Sequence, residues 1–294
     1  MQLGKVGVWL MGVGFEPASA ERELVAELEE LGYSALWIGE FPGGKEPLTH
    51  AGLLLAASRD LVVATGIASI WSHDPMAMAS GARTLSEAYP GRFLLGIGVS
   101  HQFIVEARGH RYERPLSRMR EYLDAMDAPE YRVPDGPEPL TRVLAALRPP
   151  MLELAAKRAD GAHPYFVPVE HTARAREILG PGKLLCPEQG VLLETDPAKA
   201  RGQARELIAI YLQAPNYIES LRALGFGDGD LANGGSDRLI DALIAWGDED
   251  AVLARVRGHL DAGADHVCIQ PIASGWGTID TTELRRLAPV LTAV

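Results

Sequence analysis

The chain has 294 residues, 47% of them hydrophobic and 23% charged, with a formal net charge of −11 at pH 7. This is the composition of a folded soluble protein, and no basic run exists that could neutralise a phosphate backbone, so no nucleic-acid partner is expected. The longest apolar stretch, residues 61–71, is interrupted by Gly66 and falls short of the ~20 residues a membrane-spanning helix needs.

Elements alternate from the start. Residues 5–10 (KVGVWL) are rich in strand formers. Residues 19–31 then follow a helical period, with Leu24, Leu28 and Leu31 on one face, Ser19 placed to cap and Gly32 as a stop. A short apolar strand at 35–38 (ALWI) precedes a helix at 48–58. Residues 61–68 (LVVATGIA) read as a third strand, continuous in its hydrophobicity as a strand buried on both faces should be. Asp74-Pro75 opens a helix that runs to Tyr89, and 93–98 (FLLGIG) is the fourth strand. Four strand–helix units in about the first hundred residues favour parallel strands joined by helical crossovers.

The second half is less regular. A helix at 116–126 leads to a Pro-rich loop at 128–138. Strands are expected at 142–147, 161–167 and 184–193, followed by helices at 149–158, 169–179 and 197–212. A helical insertion, about 213–247, carries the Gly-rich GFGDGDLANGG, which reads as a flexible surface loop or lid. It is no phosphate cradle, because Asp228 and Asp230 would repel an anion. A helix at 251–262 and a strand at 266–270 (HVCIQ) complete the pattern. Eight strands in this alternation imply an α/β fold, a closed (β/α)8 barrel in one domain, with the insertion between strands seven and eight. An open doubly wound sheet is the competing architecture, weakened by the lack of a GxGxxG turn after the first strand.

Cys186 and Cys268 lie inside apolar runs and read as buried thiols of a cytoplasmic protein. With no CxxC and no HExxH, no protein metal site is expected, and no signal peptide is evident. In a barrel the site lies where strands end. Those loops hold Glu40 and Phe41, then Ser69, Trp71, Ser72 and His73, then Ser100 and His101. Later ones hold His163, Tyr165 and Phe166, then Ser274 and Trp276. His73 reads as a helix-start residue and His266 as structural.

LWIGEF at 36–41, TGIASIWSHDP at 65–75, LSEAYPGRFLLGIGVSH at 85–101 and GADHVCIQP at 263–271 resemble the bacterial-luciferase-like superfamily. Within it they are most similar to actinobacterial enzymes that use coenzyme F420. The resemblance covers the whole chain. It implies a deazaflavin-dependent oxidoreductase acting on a small organic substrate, commonly as a homodimer. It also implies a non-prolyl cis peptide behind the cofactor ring, at about Ala68–Ser69. Glu40 would lie near the ring as a catalytic residue beside His101, with Ala68, Ser69, Trp71, Gly98 and Ser100 around the ring. Backbone N–H groups at Tyr165 and Phe166 would receive the phosphate. Sugar-phosphate dehydrogenases of the superfamily carry a His where this chain has Phe41, and a Glu where it has His101. The proton-transfer role therefore passes to His101, whose imidazole suits neutral pH. The same barrel also serves FMN-dependent monooxygenases and non-catalytic flavin-binding proteins, so these stay as alternatives.

Overall fold

The computed structural model describes residues 1–134, 136–272 and 279–294. The first hundred residues hold β1 (Val6–Leu10), α1 (Ala18–Glu30), β2 (Ala35–Ile38), α2 (Pro47–Ala57), β3 (Val62–Thr65), β4 (Ala68–Ser69), α3 (Pro75–Ala88) and β5 (Phe93–Gly98). Next come α4 (Gln102–Ala107), α5 (Pro115–Asp127), β6 (Thr141–Leu144), α6 (Pro149–Arg158), β7 (Gly161–Ala162), α7 (Val169–Leu179), β8 (Leu184–Leu185), β9 (Glu188–Leu192) and α8 (Pro197–Ile208). The chain ends with α9 (Pro215–Ala223), α10 (Asp228–Leu231), α11 (Asp237–Leu243), β10 (Ile244–Trp246), α12 (Glu249–Asp261), β11 (Val267–Pro271) and α13 (Thr282–Leu291).

All pairings are parallel, in the order β10-β9-β11-β1-β2-β3-β5-β6-β7-β8, with β4 on β5. β8 and β9 are two halves of one stave, parted only by Cys186 and Pro187. β8 pairs with β7 and β9 with β11, so the sheet closes into a (β/α)8 barrel. Alternation along each stave sorts the side chains. Val6, Val8, Leu36, Ile38, Val63, Leu95 and Ile97 face the helices, whereas Trp9, Trp37, Val62, Ala64, Leu94, Val143 and Cys268 fill the interior.

Two polar groups are buried in that interior at no loss of hydrogen bonding. Trp37 Nε1 donates to His266 Nε2 (3.0 Å), and His266 Nδ1 donates to the Gly4 carbonyl (3.0 Å). His266 is thus structural, as its turn-like setting suggests.

Several expectations shift. The third strand is broken: the cis peptide is Gly66–Ile67, two residues before the expected Ala68–Ser69, and divides β3 from β4. β7 is only two residues long, because Pro164 lacks an N–H and Phe166 turns to φ 60°. α1 is capped by Pro17, with Ser19 inside it. Asp74 does cap α3, accepting from the N–H groups of Met76 and Ala77.

The insertion is not wholly helical, since β10 pairs with β9. Its Gly-rich segment is no bare loop either. It contains α10, whose Asp230 accepts from Gly227 N, Ser236 Oγ and Arg238. Tyr217, Leu221, Phe226, Leu239 and Ile240 pack it against Phe166, Leu192 and Ile272 of the barrel. Among the described residues no helix is long and apolar enough to cross a membrane.

Candidate active site

A cavity of about 750 Å³ opens at the carboxyl end of the staves. Its floor is made by strand ends: Trp9, Gly39, Glu40, Gly66, Ile67, Val99, Ser100 and His163. Its walls come from the loops after β1, β2, β5 and β6, and from Ile210 to Tyr217 at the start of the insertion.

Aromatic rings run along it in succession. From one lip, Phe15 meets Phe41 (6.0 Å between centroids), Phe41 meets Trp9 (6.4 Å) and Trp9 meets Tyr165 (5.3 Å). From there Tyr165 contacts Tyr217 (6.4 Å), Tyr217 contacts His101 (5.2 Å), and His101 stacks on Phe103 at the other lip (5.7 Å, 8° between planes). The tyrosine hydroxyls are tied down as well. Tyr165 donates to Gln270 Oε1 (2.7 Å) and accepts from Tyr211 (2.7 Å).

His101 is where the strand-end argument places it, beside Ser100, on the cavity wall. Ser100 takes a left-handed backbone (φ 55°) at the turn from β5 into α4. His101 Nδ1 donates to Asn216 Oδ1 at 3.4 Å, and the Tyr217 hydroxyl donates to His101 Nε2 at 3.5 Å. Both contacts are long, so Nε2 is open to exchange its partner for a ligand hydroxyl. Burial lowers the His101 pKa, and the Asn216 hydrogen bond opposes this only in part, so the imidazole is neutral at pH 7.

Glu40 also reaches the cavity, but its carboxylate is fully engaged. Oε2 accepts from the Ser69 N–H (2.7 Å) and from His73 Nε2 (3.1 Å), and Oε1 accepts from Arg108 (2.9 Å). Burial pushes its pKa up, but the hydrogen bonds from His73 and Ser69 outweigh that and hold it below the ordinary value. Glu40 is therefore a fixed anion tying together the loops after β2, β4 and β5. A proton-transfer role finds no support in this geometry. His73, read from sequence as a helix-start residue, belongs to this cluster.

His163 carries an unfilled acceptor. Its Nδ1–H donates to the Cys186 carbonyl (2.7 Å) and its ring stacks on Trp37 (4.3 Å, 19°). A carbonyl can only accept, so the proton sits on Nδ1 and the lone pair on Nε2. Nε2 is buried without a partner at the cavity floor, facing Gly66, where a Cβ would come within 3.1 Å of it. Burial lowers its pKa to about 4, so it stays neutral.

Five residues expected to bind the cofactor do not lie on the cavity wall. Ala68 is fully buried, paired with Ile97. Ser69 acts through its N–H on Glu40 and its Oγ, which accepts from Trp71 N (3.3 Å). Trp71 donates to the Val99 carbonyl (2.9 Å) and packs behind Tyr112, which does line the cavity. Gly98 is pressed between Ile67 and Ala145, within 2.9 Å of where its Cβ would be. Phe166 is buried beneath Tyr211 and Tyr217.

Of the two phosphate donors expected, the Phe166 N–H is taken: it donates to Glu188 Oε2 (3.0 Å), and Pro164 and Pro168 have no N–H. Ser274 and Trp276 lie outside the described residues.

The model of the luciferase-like monooxygenase family matches residues 3–266. The chain belongs to that family. It is an oxidoreductase by the same kinship, its relatives being F420-dependent oxidoreductases and luciferase-like monooxygenases. A Mycobacterium tuberculosis protein named as a coenzyme F420-dependent oxidoreductase is 27% identical over 256 residues, 72% of each chain. The 5,10-methylenetetrahydromethanopterin reductase of Archaeoglobus fulgidus is 24% identical, over 87% of this chain and 91% of its own. Among solved structures, an F420-dependent secondary alcohol dehydrogenase bound to an F420–acetone adduct superposes with a TM-score of 0.76 at 14% identity, over 99% of both chains. At that identity the likeness shows the fold alone.

Strand-end reasoning in this luciferase-like chain missed Trp9, Arg148, Asn216, Tyr217 and Tyr211. Trp9 lies within a strand, and only the phase of its alternation distinguishes it from Val8. Arg148 comes directly after the expected strand 142–147, and the signal for it was that strand end itself. The three insertion residues have no signal of this kind, because the insertion's docking is not encoded in strand periodicity.

Proposed function

We propose that this protein is an F420-dependent oxidoreductase that exchanges a hydride between the deazaflavin and a small organic substrate at the carboxyl end of the barrel. The observation that carries the reading is a deep aromatic cavity with one buried, unfilled acceptor at its floor and one neutral imidazole on its wall. The kinship with a protein named as a coenzyme F420-dependent oxidoreductase supports the choice of cofactor.

The residues present fit such a group. A volume of about 750 Å³ is at the upper end for small-molecule sites, enough for a fused ring system together with a substrate. His163 Nε2 requires an N–H or O–H donor, which a deazaflavin edge offers. Trp9 and Tyr165 are placed to flank a flat ring. Arg148, exposed at the rim and without a carboxylate partner among the described residues, is the cation for an anionic tail. When bound, the deazaflavin supplies a carbon that accepts or donates hydride.

The protein's part is positioning and proton transfer. Apolar walls keep water from the reacting atoms. Asn216 and Tyr217 orient His101 so that Nε2 faces the cavity. A neutral imidazole at pH 7 is a base, so Nε2 takes the proton of a substrate hydroxyl during oxidation and returns it in the reverse direction. Glu40 does not titrate in this scheme; its fixed charge holds the Ser69 and Arg108 loops in place. The reading includes a cytoplasmic location, from the two buried thiols, and a homodimer, as the resemblance implies.

Separate fluorescence titrations of the purified protein with F420 and with FMN test the cofactor. F420 binding with negligible FMN binding is the expected result. FMN binding without F420 binding refutes the proposal and favours a flavin-dependent monooxygenase.

A further inference from the structure

The lips of the cavity are unusually apolar for a solvent-facing surface. Seven large hydrophobic side chains are exposed among the described residues, and three of them, Phe15 (50%), Phe103 (52%) and Ile210 (37%), border this one opening. They come from separate segments, after β1, from α4 and from the turn that follows α8. Local sequence alone would not gather them. Exposed apolar side chains that converge on a cavity mouth mark a binding surface rather than scattered surface residues.

The charges on the wall point the same way. Among the described lining residues only Glu40 and Arg148 carry a full charge. Glu40 is spent on Arg108, His73 and Ser69. Arg148 follows the fifth stave, and Phe15 follows the first. In a closed barrel of eight staves these lie on opposite sides. Lys45, on the loop beside Phe15, is committed to Glu21 and the Glu16 carbonyl, so the aromatic end at Phe15 and Phe41 offers no free cation among the described residues for a phosphate or carboxylate, and an anion placed there would lose its hydration without compensation.

We propose that the mouth of the cavity, between its two aromatic lips, takes an uncharged, largely apolar substrate containing a ring and bearing one oxygen function. One end of the substrate lies on Phe15–Phe41 and the other on Phe103, and the oxygen meets His101 Nε2. Phe103 serves twice, as a wall for the substrate and as the stacking partner that keeps the imidazole plane fixed. Phe15 and Phe103 are specificity-determining residues. The inference rests on the proposed function only for the role of His101.

The test is calorimetric titration of the full chain, alone and with saturating F420, using 2-acetylnaphthalene as the neutral aromatic ketone and glucose 6-phosphate as the charged comparison. The ketone is expected to bind the wild type. The Phe15→Ala/Phe103→Ala double variant should bind it about tenfold or more weakly, since two ring contacts are lost. Its melting temperature and its F420 affinity should be unchanged, because both side chains are half exposed. Glucose 6-phosphate should give no heat. The inference is overturned if the ketone binds neither form of the wild type, if glucose 6-phosphate binds as tightly, or if the double variant binds the ketone as well as wild type. A failure of F420 to bind would refute the cofactor reading alone, because ketone binding is also read on the protein by itself.

Discussion

Lowering the pH from 7.5 to 5.0 should destabilise this barrel through three buried histidines. His163 and His266 have pKa values lowered to about 4, and His259 to about 3, in each case by burial first. Each is held neutral by burial, which outweighs the backbone carbonyl acceptors on His163 and His266. His266 Nε2 accepts from Trp37, His259 Nδ1 accepts from Thr172 (2.7 Å), and His163 Nε2 is buried without a partner. A proton on His266 Nε2 would set two donors facing each other. A histidine whose folded pKa lies below its unfolded value of 6.5 contributes stability that is complete above 6.5 and falls as the pH drops towards the folded pKa.

At pH 5 the unfolded chain gains about 1.5 units of protonation free energy per histidine, or about 2 kcal/mol each and about 6 kcal/mol together. Two groups work in the opposite direction, Glu188 and, also through burial, Glu283. Burial raises the Glu188 pKa to about 8, against the Phe166 N–H bond, so the folded state binds this proton before the unfolded state does. That returns about 3 kcal/mol over the same interval. The net loss is then about 3 kcal/mol, a sizeable part of the 5–15 kcal/mol typical of domains. His50, His101 and His171 shift in the same direction as the three and add to the loss.

Urea melts followed by circular dichroism at the two pH values measure this directly. Glu188→Gln removes the compensating proton, so its loss between pH 7.5 and 5.0 should approach about 6 kcal/mol, roughly twice that of wild type. Equal stability of wild type at the two pH values, together with no steepening in Glu188→Gln, would refute the assignment of these groups as neutral in the folded state.

Three further outcomes are expected. His101→Ala should lower turnover by about a hundredfold or more while leaving the melting temperature within a degree or two. In the wild type, the rate in the proton-accepting direction should rise with pH below 6.5 and level off by neutrality, and a non-catalytic barrel would show neither effect. Glu40→Ala should cost about 3 kcal/mol in a denaturant melt, because Arg108 and the Ser69 N–H lose a buried partner, with Glu40→Gln falling between it and wild type. Gly96→Ala should cost about 3 kcal/mol or more, because its Cβ would sit 2.0 Å from the Thr65 carbonyl oxygen, a backbone atom that cannot move aside; an unaltered melt would show that β3 and β5 can separate.

Much of the site was legible because barrels put function at strand ends. Glu40, Ser100, His101, His163 and Tyr165 all follow apolar strands in the sequence, and all five reach the cavity. The neighbours that failed did so for reasons of phase and register. Trp71 and Phe166 lie close to site residues in sequence, yet their side chains pack behind the wall. The cis bond falls at Gly66, the residue that interrupts the apolar run, two residues before the position the resemblance implied. Glu40 looked like an acid beside a ring. Only the convergence of Ser69, His73 and Arg108 reveals a carboxylate already committed.

The sequence alone determined the order of strands and helices, the closed parallel barrel and the family, since each rests on local periodicity and short motifs. Tertiary structure alone decided the state of each functional group. Whether an imidazole is neutral, a carboxylate occupied or an acceptor unfilled depends on atoms from distant segments: Asn216 on His101, Arg108 on Glu40, Cys186 on His163. The aromatic lip belongs to the same class, because Phe15, Phe103 and Ile210 are neighbours only after the staves close.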